Sequence, residues 1–352
     1  MRALVLSGGE GSRLRPITHT QAKQLIPVAG TPILFHALEA ISRAGITEVG
    51  IVVGATAAEV RAAVGDGSKW GIRVTYIPQE APLGLAHAVL TAETFVRGEP
   101  FLMYLGDNIL LEGLTGFVEE FERTRPDAQI FLARVPEPER FGVAVLEGER
   151  VVRLAEKPAE SISDLALVGV YLFDDSILEA ARAITPSARG ELEITDAIQW
   201  LIDHGRTVRP RMVTGWWKDT GKPEDLLEAN RILLSVRKGG IDGEVDAATK
   251  VEGTVAVASG ARVTGSELRG PVVIGPGCVI EDSVIGPNVS IERDGVVTRS
   301  GVENSIVMEE CRIEDAAGLT GCILGRGVTV RRSDPSGAPR LVVGDQSHIE
   351  LG

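Results

Sequence analysis

Two neighbouring stretches decide the reading: Leu6-Ser-Gly-Gly-Glu-Gly-Ser-Arg-Leu-Arg-Pro16 and Lys23-Gln-Leu-Ile-Pro27. They follow Ala3-Leu-Val-Leu6, an apolar run that predicts a buried first strand. Glycines at a strand end let backbone N–H groups close on a phosphate, where a Cβ would stand in the way. Leu6, Gly8, Gly9 and Gly11 are therefore candidate nucleotide contacts, and Arg13 and Lys23 supply fixed positive charge for the same anion. No Gly-Lys-Ser/Thr follows, and the spacing is not G-x-G-x-x-G, so neither common phosphate fingerprint applies. By itself the cluster also fits a plain turn beside solvated basic residues.

Outward from this loop, strands expected at Val49–Val53, Arg73–Pro78 and Pro100–Leu105, the first and last of them apolar runs, alternate with helical patterns that start at Pro32, Thr56 and Gly84. Continuous rather than alternating hydrophobicity predicts an α/β, Rossmann-like, mostly parallel sheet covered on both faces. Ligands of such sheets bind beyond the carboxyl ends of the strands, where the opening loop, Gln79 and Asp107 all fall. Further strands are expected around 129–135, 142–146, 152–155, 166–173 and 207–213, and a last helix over 223–236. Residues 1–236 then form one domain and 237–250 a polar linker.

From Val251 the texture changes. Ile274-Gly-Pro-Gly-Cys-Val, Ile280-Glu-Asp-Ser-Val and Ile285-Gly-Pro-Asn-Val-Ser place an aliphatic residue every five or six positions. Val257, Val263, Ile291, Ile306, Ile313 and Ile323 continue the pattern. A period of this kind makes short strands on the sides of a triangular coil, aliphatic side chains inward, over 251–352. Glu267–Gly270 and Val297–Asn304 break the spacing and are expected to be loops.

The 352 residues are 44% hydrophobic and 24% charged, ordinary for a globular protein. A formal charge of −13 argues against a nucleic-acid partner and leaves phosphate attraction to local charge. Cys278, Cys311 and Cys322 lack metal-ligand spacing and read as buried fillers of a reduced protein. No apolar run reaches membrane-spanning length, and a cytoplasmic enzyme is expected.

Asp107 ends an apolar strand, and Asp219 follows two tryptophans. A magnesium ion needs only one or two carboxylates beside phosphate oxygens and water; either acid alone is equally a turn or surface residue. Gln79 and Gln24 carry a donor and an acceptor that match the edge of a pyrimidine, and Gly84 allows close backbone approach to a ring. Glu156-Lys157 could be a solvated pair.

The full arrangement, GGxGSRLxPxT with K-Q-L-x-P, L-G-D-N at 105–108 and W-x-D-T-G at 217–221, resembles the nucleotide-sugar pyrophosphorylases. Among these it is most similar to long-form glucose-1-phosphate thymidylyltransferases with a C-terminal extension. The resemblance implies attack of a sugar-1-phosphate oxygen on the α-phosphorus of dTTP (or UTP), with Mg2+ held by Asp107 and Asp219. It implies that Arg13 holds the β- and γ-phosphates and Lys23 neutralises the reacting phosphate. Lys157 then grips the phosphate of glucose 1-phosphate and Glu156 its hydroxyls, with Gly142 and Val168 bordering the sugar; Glu193 and Asp196 belong weakly to that side. It further implies a left-handed β-helix; a homo-oligomer is expected, and a chain ending near Val236 is expected to keep some chemistry. A non-catalytic assembly subunit is the competing class, disfavoured by the intact charged set. Acyl transfer on the coil would need a histidine, and the only one beyond residue 204 is His348.

Overall fold

The computed structural model describes residues 1–9, 11–332 and 340–351. The chain forms two compact units, Met1–Glu10 with Leu34–Asp219, and Gly11–Ile33 with Thr220–Gly352. In chain order the elements are β1 (Arg2–Ser7), β2 (Pro27–Val28), β3 (Thr31–Pro32), α1 (Ile33–Arg43), β4 (Glu48–Val53), α2 (Ala57–Val64) and β5 (Arg73–Pro78). There follow α3 (Leu85–Thr91), α4 (Glu93–Val96), β6 (Phe101–Leu105), β7 (Asn108–Leu110), α5 (Thr115–Thr124), β8 (Ala128–Arg134), β9 (Gly142–Glu147) and β10 (Arg150–Glu156). Then come β11 (Leu165–Phe173), α6 (Ser176–Ala183), α7 (Ile194–Asp203), β12 (Val208–Met212), β13 (Trp217–Asp219) and α8 (Pro223–Val236). Among the described residues no helix is long and apolar enough to cross a membrane.

The first unit is built on a nine-stranded sheet ordered β10-β9-β11-β6-β1-β4-β5, with β8 paired to β11 and β12 to β8. The strands β6, β1, β4 and β5 are parallel; β11 runs antiparallel to β6 and makes the sheet mixed beyond it. Ala3, Leu4 and Val5 are wholly buried, as expected of a strand covered on both faces. On α1, Leu34, Ala37, Leu38 and Ile41 form the i, i+3, i+4, i+7 stripe that packs inward. Thr56 precedes α2 but makes no side-chain cap bond. Register aligns the strand ends: Ser7 pairs with Val53, Val53 with Pro78, and Leu6 with Leu105. The loops after β1, β4, β5 and β6 therefore leave from one edge.

In the second unit three stacked parallel sheets form a solenoid, consistent with a left-handed β-helix. Val255 pairs with Val272 and Val272 with Val289, so one coil takes seventeen residues. Val263, Ile280, Val297, Ile313 and Val330 stack in register and are fully buried. Corners need left-handed backbone, and Asp282, Asn288, Asp294 and Asn304 supply it. The three cysteines are buried and form no disulfide among the described residues, and burial pushes the Cys278 thiol up to about 11.

Several expectations change here. Residues 237–250 are not a plain linker, since Gly240–Ile241, Glu244–Val245 and the strand starting at Lys250 already pair with the next coil. The expected loops at 267–270 and 297–304 contain the strands Glu267–Arg269, Val296–Thr298 and Gly301–Glu303. Ile306 and Ile323 are fully buried, yet their neighbours Val307 and Leu324 fill the coil interior. In the same unit α8 packs against the strand Val289–Ile291 of that sheet.

Glu292 lies on this unit with its Oε1 buried and without a hydrogen-bond partner among the described residues. Burial first, and Glu309 second, push its carboxyl up to about 7 against the pull of Arg237. An acid whose folded value is raised contributes stability that is complete below its unfolded value of 4.5 and is lost as pH rises through about 7. Glu292→Gln is expected to be more stable than the parent by roughly 2–3 kcal/mol at about pH 8, with the gap closing toward about pH 4. Denaturant unfolding at the two pH values checks this; a gap independent of pH would contradict it.

Candidate active site

Within the first unit, the sheet edge brings Gly8 and Gln79 together. A Cβ on Gly8 would lie 3.5 Å from Gln79 Oε1 and 3.7 Å from Gly54 N. Gln79 N donates to Val53 O (2.9 Å), which continues the sheet one residue past β5. Its Nε2 donates to His87 Nδ1 (2.9 Å) on α3, a contact that sequence reasoning missed, so Oε1 is the group turned to the loop. Leu6 contributes backbone: its side chain is buried and its carbonyl accepts Gly106 N–H at 2.9 Å.

Gly84 has a local cause that the sequence did not reveal. Its φ is +104°, and a Cβ there would sit 2.4 Å from Leu192 O and 2.7 Å from Leu192 N. The backbone of Leu192 threads this turn, donating to Leu83 O (2.8 Å) and accepting from Ala86 N (3.0 Å).

The two candidate metal acids are brought close by pairing. β7 and β13 run antiparallel with Asn108 opposite Asp219, which sets Asp107 beside that pair. Asn108, 3% exposed, is the organising residue: Nδ2 donates to Asp107 Oδ1 (3.0 Å) and Oδ1 accepts from Trp217 Nε1 (2.7 Å). Tyr104 OH donates to its carbonyl at 3.2 Å. A hard-oxygen pair of this kind fits magnesium, whose shell is completed by phosphate oxygens and water, better than it fits a softer metal.

A third cluster gathers Gly142, Glu156 and Lys157. Gly142 pairs with Glu156, and a Cβ on it would strike Thr195 Cγ2 at 2.6 Å and Glu156 Oε2 at 3.0 Å. Glu156 accepts from Thr195 Oγ1 (3.3 Å) and lies 3.6 Å from Lys157 Nζ and 3.5 Å from Arg189 Nη2. Burial is the largest influence on its carboxyl and raises it, with Lys157 opposing. Lys157 holds φ at +40°, with its N–H donated to Phe141 O (3.0 Å). The Phe141 ring meets Trp217 edge-on at 5.5 Å. Glu193 is buried and bound to Arg189 and Ser187, and Asp196 is in the first turn of α7. Val168 is fully buried in β11, so its side chain packs in the core.

Within the second unit, Gly11 (φ +66°) lies against Lys23, where a Cβ would meet Lys23 Cβ at 2.9 Å and Thr18 Cγ2 at 3.0 Å. Arg13 is exposed on a short 3-10 turn, Ser12–Leu14. Gln24 is 2% exposed, and its Oε1 has no hydrogen-bond partner among the described residues.

The nucleotidyl transferase family model matches residues 2–236. A glucose-1-phosphate thymidylyltransferase of Streptomyces griseus is 53% identical over all of this chain and 99% of that protein. A low-salt glycan biosynthesis nucleotidyltransferase of Haloferax volcanii is 44% identical over the full length of both. A Bacillus anthracis crystal structure bearing the name glucose-1-phosphate thymidylyltransferase superposes with a TM-score of 0.64 at 36% identity, covering 68% of this chain and 98% of that one. With its first 236 residues matched by the family model and its whole length shared with such relatives, the chain belongs to the nucleotidyl transferase family.

Proposed function

We propose that this nucleotidyltransferase joins dTTP to α-D-glucose 1-phosphate, giving dTDP-glucose and diphosphate. A phosphate oxygen of the sugar attacks the α-phosphorus in line, and the bond to the β-phosphate oxygen breaks as diphosphate leaves. The nucleophile is already an anion, so placement and charge neutralisation carry the rate. Asp107 and Asp219 would hold magnesium, which supplies charge at the α-phosphate and the leaving group. Arg13 binds the β- and γ-phosphates and Lys23 the reacting phosphate. Gln79 and Gln24 read the thymine edge beside the Gly84 turn, and the orphaned Gln24 Oε1 is an acceptor that a base N–H would satisfy. Lys157 binds the sugar phosphate and Glu156 the sugar hydroxyls beside Gly142. Cytoplasmic placement and a homo-oligomer, both expected from the sequence, go with this reading.

The observation that carries the proposal is the hydrogen-bonded run Trp217–Asn108–Asp107, which fixes one acid beside the strand partner of the other. The direct test is diphosphate release, with the sugar nucleotide identified by chromatography, for dTTP and UTP against several hexose 1-phosphates. The highest kcat/KM is expected for dTTP with glucose 1-phosphate; no turnover with any pair would refute the proposal.

A pH effect follows from Glu156. Ionised, the carboxylate accepts sugar hydroxyls at both oxygens; protonation turns one of them into a donor, and burial raises its pKa. The KM for glucose 1-phosphate is therefore expected to climb as pH falls through that raised value. Glu156→Gln should raise that KM about tenfold and flatten its pH profile. An unchanged acidic limb in the variant would remove Glu156 from the sugar side.

A further inference from the structure

The segment Gly11–Ile33, which carries Arg13, Lys23 and Gln24, folds in one compact unit with α8 and the solenoid. Its tip is the two-residue turn between β2 and β3. Ala29 (φ +49°) and Gly30 (φ +78°) are both left-handed, as such hairpin turns require. Alanine resists this region, so the turn needs outside support. Asn230 of α8, 1% exposed, supplies it: Oδ1 accepts from Ala29 N (2.8 Å) and from Ser290 Oγ (2.9 Å). Its Nδ2 donates to Asn288 O at 3.2 Å, so the amide joins the turn to a solenoid strand and the corner before it. Arg237 donates to Ala29 O from the other side (2.7 Å). Under Gly30 a side chain would be tight, because Val273 Cγ1 lies 3.1 Å from where a Cβ would stand. A second hold is Thr20 Oγ1 on Asp345 Oδ2 at 2.8 Å, and a Cβ on Gly344 would lie 3.2 Å from Pro16 O.

We infer that α8 and the solenoid position the nucleotide loop, and that Asn230 is a positioning residue acting on Lys23 and Gln24 through the Ala29–Gly30 turn. The part of this that concerns nucleotide rests on the proposed function; the hold itself does not. The extension is then a working part of nucleotide binding, and loss of residues 237–352 is expected to weaken dTTP use, against the expectation from sequence that a chain ending near Val236 needs nothing more for its chemistry.

The test compares Asn230→Leu, Asn230→Asp and Thr20→Val in the full chain, by kinetics and by hydrogen exchange of residues 11–33. Leucine removes the acceptor; aspartate keeps both accepted bonds; Thr20 is exposed, so its variant leaves the core intact. In Asn230→Leu, kcat/KM for dTTP is expected to fall about a hundredfold with the KM for glucose 1-phosphate within about threefold. Peptides of 11–33 should exchange faster while the inner solenoid strands stay protected. Asn230→Asp should recover most of both losses, and Thr20→Val should show a smaller change in the same direction. Unchanged dTTP kinetics and unchanged exchange in both Asn230→Leu and Thr20→Val would overturn the inference. If the parent chain makes no sugar nucleotide, the proposed function fails, and the exchange arm alone decides the hold.

Discussion

Replacing Asp107 by alanine is expected to cut diphosphate release by a hundredfold or more while the protein stays folded. The acid belongs to the turn after β6, a half-buried position at the sheet edge. Its carboxylate accepts from Asn108 Nδ2, and the other links of Asn108, to Trp217 and Tyr104, remain after truncation. One amide then loses a partner, a stability cost of about 1–3 kcal/mol. On the proposed function, catalysis loses one of the two carboxylates that would hold magnesium, whose charge offsets that of the polyanions, and removal of one such preorganised contact commonly costs roughly a hundredfold or more in rate. Turnover and thermal unfolding measured together check this; parent-like turnover would remove Asp107 from the metal role.

Gly84→Ala is expected to be the most damaging single methyl in the first unit. The added carbon would meet backbone atoms of Leu192 at 2.4 and 2.7 Å, and backbone cannot swing away as a side chain does. The left-handed φ of +104° adds strain for any L side chain. Relief means breaking the Leu192–Leu83 and Ala86–Leu192 bonds that tie the Gly84 turn to the segment just before α7. A loss of roughly 3 kcal/mol follows from strain and lost bonds together. Gln79 Nε2 is 3.4 Å from Gly84 O, so the KM for dTTP should rise as well. Denaturant midpoint and KM measured on one preparation check both; a parent-like midpoint would mean that the turn has another conformation.

What could be read from the sequence was what local pattern determines. Continuous apolar runs marked β1, β4 and β6. The aliphatic period marked the solenoid. What escaped depends on partners far along the chain. Nothing around Gly84 announces Leu192, and nothing around Asp107 announces that Trp217 orders Asn108. Ile306 and Ile323 read as inward because hexapeptide spacing cannot tell inside from outside once a helix covers the outer face. The expected loops at 267–270 and 297–304 failed for a related reason: strands of two or three residues tolerate Gly and charged residues on their outward side.

The account depends most on Asp107 and Asp219 holding the cation as a pair. The measurement that tests this most directly is the magnesium concentration giving half-maximal diphosphate release, in the parent chain and in Asp107→Asn and Asp219→Asn. Both variants are predicted to need about tenfold more magnesium or greater, with the KM for glucose 1-phosphate little changed. An unchanged magnesium requirement in both would contradict it.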